Sequence, residues 1–189
     1  MIPKGALKMK QGKNNKGFSL VELLAVVAII TVAVSIAGGA MFSVYRARSK
    51  RAAETLDAMV SQSKIDAMSG LDCVLAVELD DGDYYARLYR APEDADDDAD
   101  LDLDDMVVYK SEVLASDRLT ITVGDSGNTV GDSAPFVLKF DSSAGRIVKA
   151  EYDGADVFGS GATTTLTLSS SGTHTILFYK NTGEHILDA

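Results

Sequence analysis

Lys16-Gly17-Phe18-Ser19-Leu20-Val21-Glu22-Leu23 opens an apolar run that continues to Phe42. From Leu23 to Phe42 only Thr31 and Ser35 carry polar side chains, and none is charged. At about 1.5 Å rise per residue, twenty helical positions match the roughly 30 Å of a bilayer's hydrocarbon core. The run therefore predicts a membrane helix. Glu22, just inside it, costs roughly 2.5–3.5 kcal/mol if charged deep in a membrane, so it is a functional candidate by default.

A short basic leader ending in Gly17, then Phe18, then Glu22 as the fifth residue after a cut, resembles the N-terminal signature of type IV pilins and pseudopilins. The resemblance covers residues 1 to about 45. It implies cleavage between Gly17 and Phe18 by a prepilin peptidase and methylation of the new N-terminus. It further implies that Glu22 pairs with the N-terminal amine of a neighbouring subunit. Implied partners are that peptidase, other pilin subunits, the platform membrane protein of the assembly machine, and membrane lipid. The implied location is a single pass through the cytoplasmic membrane, leader inside and head outside, followed by an extracellular or periplasmic filament.

Charge is distributed unevenly. The leader holds Lys4, Lys8, Lys10, Lys13 and Lys16, whereas the chain from Arg46 onward has 13 basic and 27 acidic residues. Such an acidic body repels nucleic acid over most of its surface. Arg46, Arg48, Lys50 and Arg51 lie just past the apolar run. Five basic residues before the run against four after it barely decide orientation, so the exported head rests on the resemblance. The second cluster is expected at lipid headgroups, or facing acidic loops of neighbouring subunits. An ordinary secretory signal cut near Ser35-Ile36-Ala37 fits less well, because Glu22 would interrupt its apolar region.

The expected architecture is α+β, with residues 1–17 a cleaved leader. Residues 18–69 form the N-terminal helix (18–45 spanning the membrane), and 70–189 a β-rich head. Gly38-Gly39 permits either close helix packing or a weak point that bends or unwinds. Ala52, Leu56, Met59, Val60 and Ser63 fall at helical spacing and form a stripe to pack on a sheet, and Ser69-Gly70 stops the helix. The period then becomes two. Cys73, Leu75, Val77 and Leu79 lead to an Asp81-Gly82 hairpin and a return through Tyr84, Ala86 and Leu88. Further strands are expected at 106–113, 119–123, 136–140, 147–152, 164–168 and 174–179. That makes about eight, mostly antiparallel because the links are too short for helical crossovers.

Two segments echo each other. Phe140 is followed five residues later by Gly145, and Phe178 by Gly183. Each reads as a strand leaving the core at Phe and turning at a Gly with positive φ. The spacing also resembles the C-terminal sheet of minor pseudopilins of type II secretion.

Catalytic constellations are sparse. Ser169-Ser170-Ser171 lies near His174, but there is no nucleophile elbow and no phosphate-binding glycine loop, so no enzyme is expected. Cys73, the sole cysteine, can form no internal disulfide and is expected as a small buried apolar residue. His174 shares strand parity with Ile176 and Phe178, and His185 follows a turn, with no zinc spacing. Asp96, Asp98 and Asp100 in the acidic loop are weak calcium candidates, lacking a loop glycine and a bidentate Glu, so no cofactor is expected. The leading expectation is a structural filament subunit. The alternative is a tip-located binding module for a surface, DNA or secreted cargo. A third class, an anchored β-domain without a polymer, predicts no cut after Gly17.

Overall fold

The computed structural model describes residues 19–92, 103–116, 119–124 and 127–188, without the side chains of 36–43 and 116. The chain divides into two compact units, Met1–Ala40 and Met41–Ala189.

Helix α1 spans Leu20–Met68. Ser19 caps its start, its Oγ accepting the Glu22 N–H at 3.2 Å. The helix is continuous through Gly38-Gly39, so these glycines do not end it in the single chain. It closes in a glycine cap. The Gly70 N–H donates to the Ala67 carbonyl and the Leu71 N–H to that of Asp66, with Gly70 at φ +89°. From Met41 on, the helix belongs to the second unit. Its stripe of Ala52, Ala53, Leu56, Met59, Val60, Ser63 and Ala67 is buried there, which is the expected face.

The strands are β1 (Cys73–Asp80), β2 (Asp83–Arg90), β3 (Val107–Ser116), β4 (Thr120–Val123), β5 (Asn128–Thr129) and β6 (Phe136–Phe140). They continue as β7 (Ile147–Tyr152), β8 (Ala155–Asp156), β9 (Thr163–Ser169), β10 (Thr173–Tyr179) and β11 (His185–Asp188). A 3-10 turn, Leu103–Asp105, precedes β3. The described strands form two sheets rather than one, ordered β3-β2-β1-β6-β7-β8 and β11-β10-β9-β4-β5. All pairings are antiparallel. The α+β architecture of an N-terminal helix packed on antiparallel strands is thus as expected. The strands beyond the expected eight are β5, β8 and β11, of two to four residues, too short for a periodic signal.

The β1–β2 hairpin turns on Asp81 and Gly82, at φ +50° and +84°. Positive φ at both central residues is the geometry that matches strand twist. Two bulges in β3 leave Tyr109 and Leu114 without partners on β2. Both serve the core side. Leu114 is buried, and the Tyr109 hydroxyl donates to Asp66 on α1 at 2.7 Å. Burial first, and then that hydrogen bond, push the Tyr109 hydroxyl pKa well up.

One core joins the helix stripe to both sheets, and the Phe136 and Phe178 rings meet across it at 6.0 Å. The two echoing segments meet as well. Asp141 N–H donates to Arg146 O and Tyr179 N–H to Glu184 O, the same loop closure twice. The Ile147 N–H donates to the Lys180 carbonyl at 3.1 Å, joining the loops. Lys64 on α1 caps them, its Nζ donating to the Thr182 and Gly183 carbonyls at 3.1 Å each.

Asp141 organises the first loop. It accepts from the Ala144 N–H at 2.8 Å and from the Arg146 N–H and Nε at 3.1 Å. The Ala144 bond, followed by those from Arg146, holds its carboxyl at about 2, against an ordinary 3.8. A depressed carboxyl contributes stability above its unfolded value, lost as pH falls through the folded one. Asp141→Asn should therefore melt below wild type near neutral pH, the gap closing as pH falls from about 4 to about 2. Thermal melts across that range check it; a gap that stays constant contradicts the assignment.

Candidate assembly surface

Gly17 and Phe18 lie outside the described residues. Glu22 sits in the first turn of α1 with its side chain exposed. Around it the apolar side chains of α1 are exposed among the described residues: Leu20 is 78% and Val21 76% exposed, and Ile29 and Val34 are open further along. A helix apolar on every face is one that lipid or other helices surround. Among the described residues no helix is long and apolar enough to cross a membrane. The side chains of 36–43, which complete the twenty-residue run, are outside that description.

The basic turn lies in the second unit. Arg46, Arg48, Lys50 and Arg51 are exposed, while Ser49, Ala52 and Ala53 between and after them are buried. Lys50 pairs with Glu54 at 3.7 Å, and the Arg48 guanidinium lies 5.9 Å from the Tyr45 ring centre. Both contacts are local to α1. They leave the arginines directed outward.

The residues weighed for chemistry lie apart among the described residues. Cys73 is buried, as expected, and burial pushes its thiol pKa up. His174 is buried beside Ile176 and Phe178, and neither of its ring nitrogens has a hydrogen-bond partner among the described residues. His185 instead reaches α1, with Ser61 Oγ at 3.1 Å and Asp57 Oδ1 at 3.5 Å from its Nε2. Among the described residues no three His, Cys, Asp or Glu groups are placed to hold a metal. Asp96, Asp98 and Asp100 fall outside them.

One constellation was not anticipated from sequence. On the outer face of the first sheet, Arg87 donates to Glu78 at 2.7 Å and to Asp80 at 2.6 Å, while the Tyr89 hydroxyl donates to Glu78 at 2.6 Å. Burial and then the Glu78 carboxylate push the Tyr89 pKa up to about 12. Arg87 also stacks on Tyr85 at 4.5 Å. The signal was available once the Asp81-Gly82 turn fixes register, because positions 78 and 80 then share a face with 85, 87 and 89. This face has its own small apolar cluster of Val74, Ala76 and Tyr89, covered by Leu103, Met106 and Val137. Hence the even positions of β1 are buried beside the odd ones, and the expected alternation is lost up to Val77.

Residues 12–38 match the prokaryotic N-terminal methylation motif, which places Gly17, Phe18 and Glu22 inside a recognised segment. The chain carries this methylation motif. No curated protein matches it as a relative. Among solved structures, it is similar to the type IV minor pilin FimU of Pseudomonas aeruginosa strain PAO1 in two crystal forms. The P21 form is 15% identical over 76% of this chain and 90% of FimU, with a TM-score of 0.46. The P65 form gives 16%, 74%, 92% and 0.44. The methylation motif at 12–38 overlaps the start of α1, where Leu20 and Val21 are exposed.

Proposed function

We propose that this chain is a structural subunit of a type IV pilus or related filament, working without a cofactor or an enzymatic step of its own. The observation that carries the reading is the methylation motif at 12–38, with Glu22 exposed in the first turn of α1. A prepilin peptidase cuts after Gly17, and Phe18 becomes the methylated N-terminus. Before assembly the apolar run lies in the cytoplasmic membrane, leader inside and head outside. The platform protein then passes the subunit into a filament, where the exposed apolar faces of α1 bury one another. Helix against helix, the interface is built from leucine, isoleucine, valine and alanine, and Glu22 sets its axial register.

Blocking the cut separates membrane anchoring from assembly. Gly17→Val should leave the full-length chain in the membrane fraction and none in sheared filaments, as read by immunoblot of both fractions. Filaments containing the uncut variant would overturn the maturation step.

A further inference from the structure

The charged network on the outer sheet face belongs to a larger feature, a groove of about 730 Å³. Val74, Tyr89, Leu103, Met106 and Val137 are among its apolar lining. Asp72, Glu78, Asp80, Asp104, Asp132 and Glu151 line it against Arg87, Lys139 and Lys149, a formal net of −3. Internal pairing consumes every one of those cations. Arg87 is shared between Glu78 and Asp80, Lys139 binds Asp72 at 2.8 Å, and Lys149 binds Glu151 at 3.1 Å. Asp104 and Asp132 stand exposed at the rim. An occupant must therefore be cationic and partly apolar. The chain's own 93–102 segment, with Glu93, Asp94, Asp96, Asp97 and Asp98, carries the same sign as the groove.

The same unit displays the complement. Arg46, Arg48 and Arg51 project from α1 beside Val44, which is 50% exposed, and Tyr45. The groove lies on the sheet face away from the core, whereas the basic turn lies on the helix. Two different patches that fit one another make a heterologous contact, which runs from copy to copy as an open filament wherever its rotation does not close a ring. Exposed charge pairs are individually weak, but repetition along a polymer sums them.

We infer that the groove on the outer face of the β3-β2-β1-β6-β7-β8 sheet receives the basic turn at 46–51 of a second copy of this chain. This rests on the filament role proposed above. It gives the basic cluster a protein partner.

The test uses the full-length chain in native membranes and sheared filaments. Arg48→Cys combined with Asp132→Cys should give disulfide-linked multimers in the filament fraction, Cys73 being buried and left in place. Independently, Arg48→Glu should lower filament yield about tenfold without lowering membrane insertion, and added Asp132→Arg should restore most of it. Double-cysteine filaments that form at the wild-type level but show no cross-link, together with a reversal that changes nothing or is not rescued, would overturn the groove contact alone. A cross-link to a different protein would overturn the second-copy assignment. A wild type that is cut after Gly17 yet never enters polymer would overturn the filament role and the contact with it.

Discussion

Glu22→Ala should be cleaved after Gly17 at the normal rate and yet fall at least tenfold in filaments, as read by comparing processed chain in membranes and in the sheared fraction. Before cleavage the Phe18 nitrogen is a neutral amide. Cutting makes it an α-amine with a reference pKa near 8, protonated at neutral pH. In the proposed filament, surrounded by apolar helices, that ammonium and a neighbour's carboxylate would neutralise each other. Removing one partner of such a buried pair leaves the other uncompensated, at roughly 3–5 kcal/mol, which is about two to four orders of magnitude in an equilibrium. The substitution leaves the helix start untouched, because Ser19 accepts the backbone N–H of residue 22 and not its side chain. Loss of polymer therefore reads the charge. Glu22→Gln, which keeps shape and removes charge, should behave like alanine. An alanine variant that is cleaved and still assembles normally would remove the pairing role.

The second large effect is on stability. Gly183 has φ +59°, and a Cβ there would run into the Gly145 carbonyl, a backbone group with no freedom to swing aside. Gly145 has φ +63°, but an added Cβ would meet Lys64 Cε at 2.7 Å and Met68 Sδ at 2.9 Å, with Met68 Cγ at 3.3 Å, all on flexible side chains. Left-handed backbone costs a non-glycine residue roughly 1–2 kcal/mol, and overpacking adds about 1–3. Gly183→Ala should thus destabilise the head by about 2–5 kcal/mol, lowering Tm by on the order of 10 °C. Gly145→Ala should fall at the low end of that range. Melting the two variants beside wild type decides it. If Gly145→Ala were the worse of the pair, the contact between the loops would be misplaced.

Local signals in this chain carry far. Gly70 ends α1 and Asp81-Gly82 turns the first hairpin because each needs positive φ, a demand visible in one or two residues. The helix stripe from Ala52 to Ser63 is legible because burial repeats every three or four positions. Non-local facts are less readable. The Phe-to-Gly echo shows in the sequence, but the contact of Gly183 with the Gly145 loop depends on how two separate sheets meet. Burial on both faces of β1 likewise needs Leu103 and Met106, contributed from beyond the acidic loop. His174 and Ile176 follow strand parity as expected, whereas the contact of His185 with Ser61 joins residues 124 positions apart. Glu22 is singled out by its position in an apolar run, before any coordinates. The outer groove becomes visible only after strand register is known.

The mature N-terminus tests the maturation claim most directly. Intact-mass and N-terminal peptide analysis of chain recovered from native membranes and filaments should show a protein beginning at Phe18 with a methylated α-amine. Material beginning at Met1, or at any residue other than Phe18, would contradict it, because Glu22 would then have no amine to neutralise at the expected register.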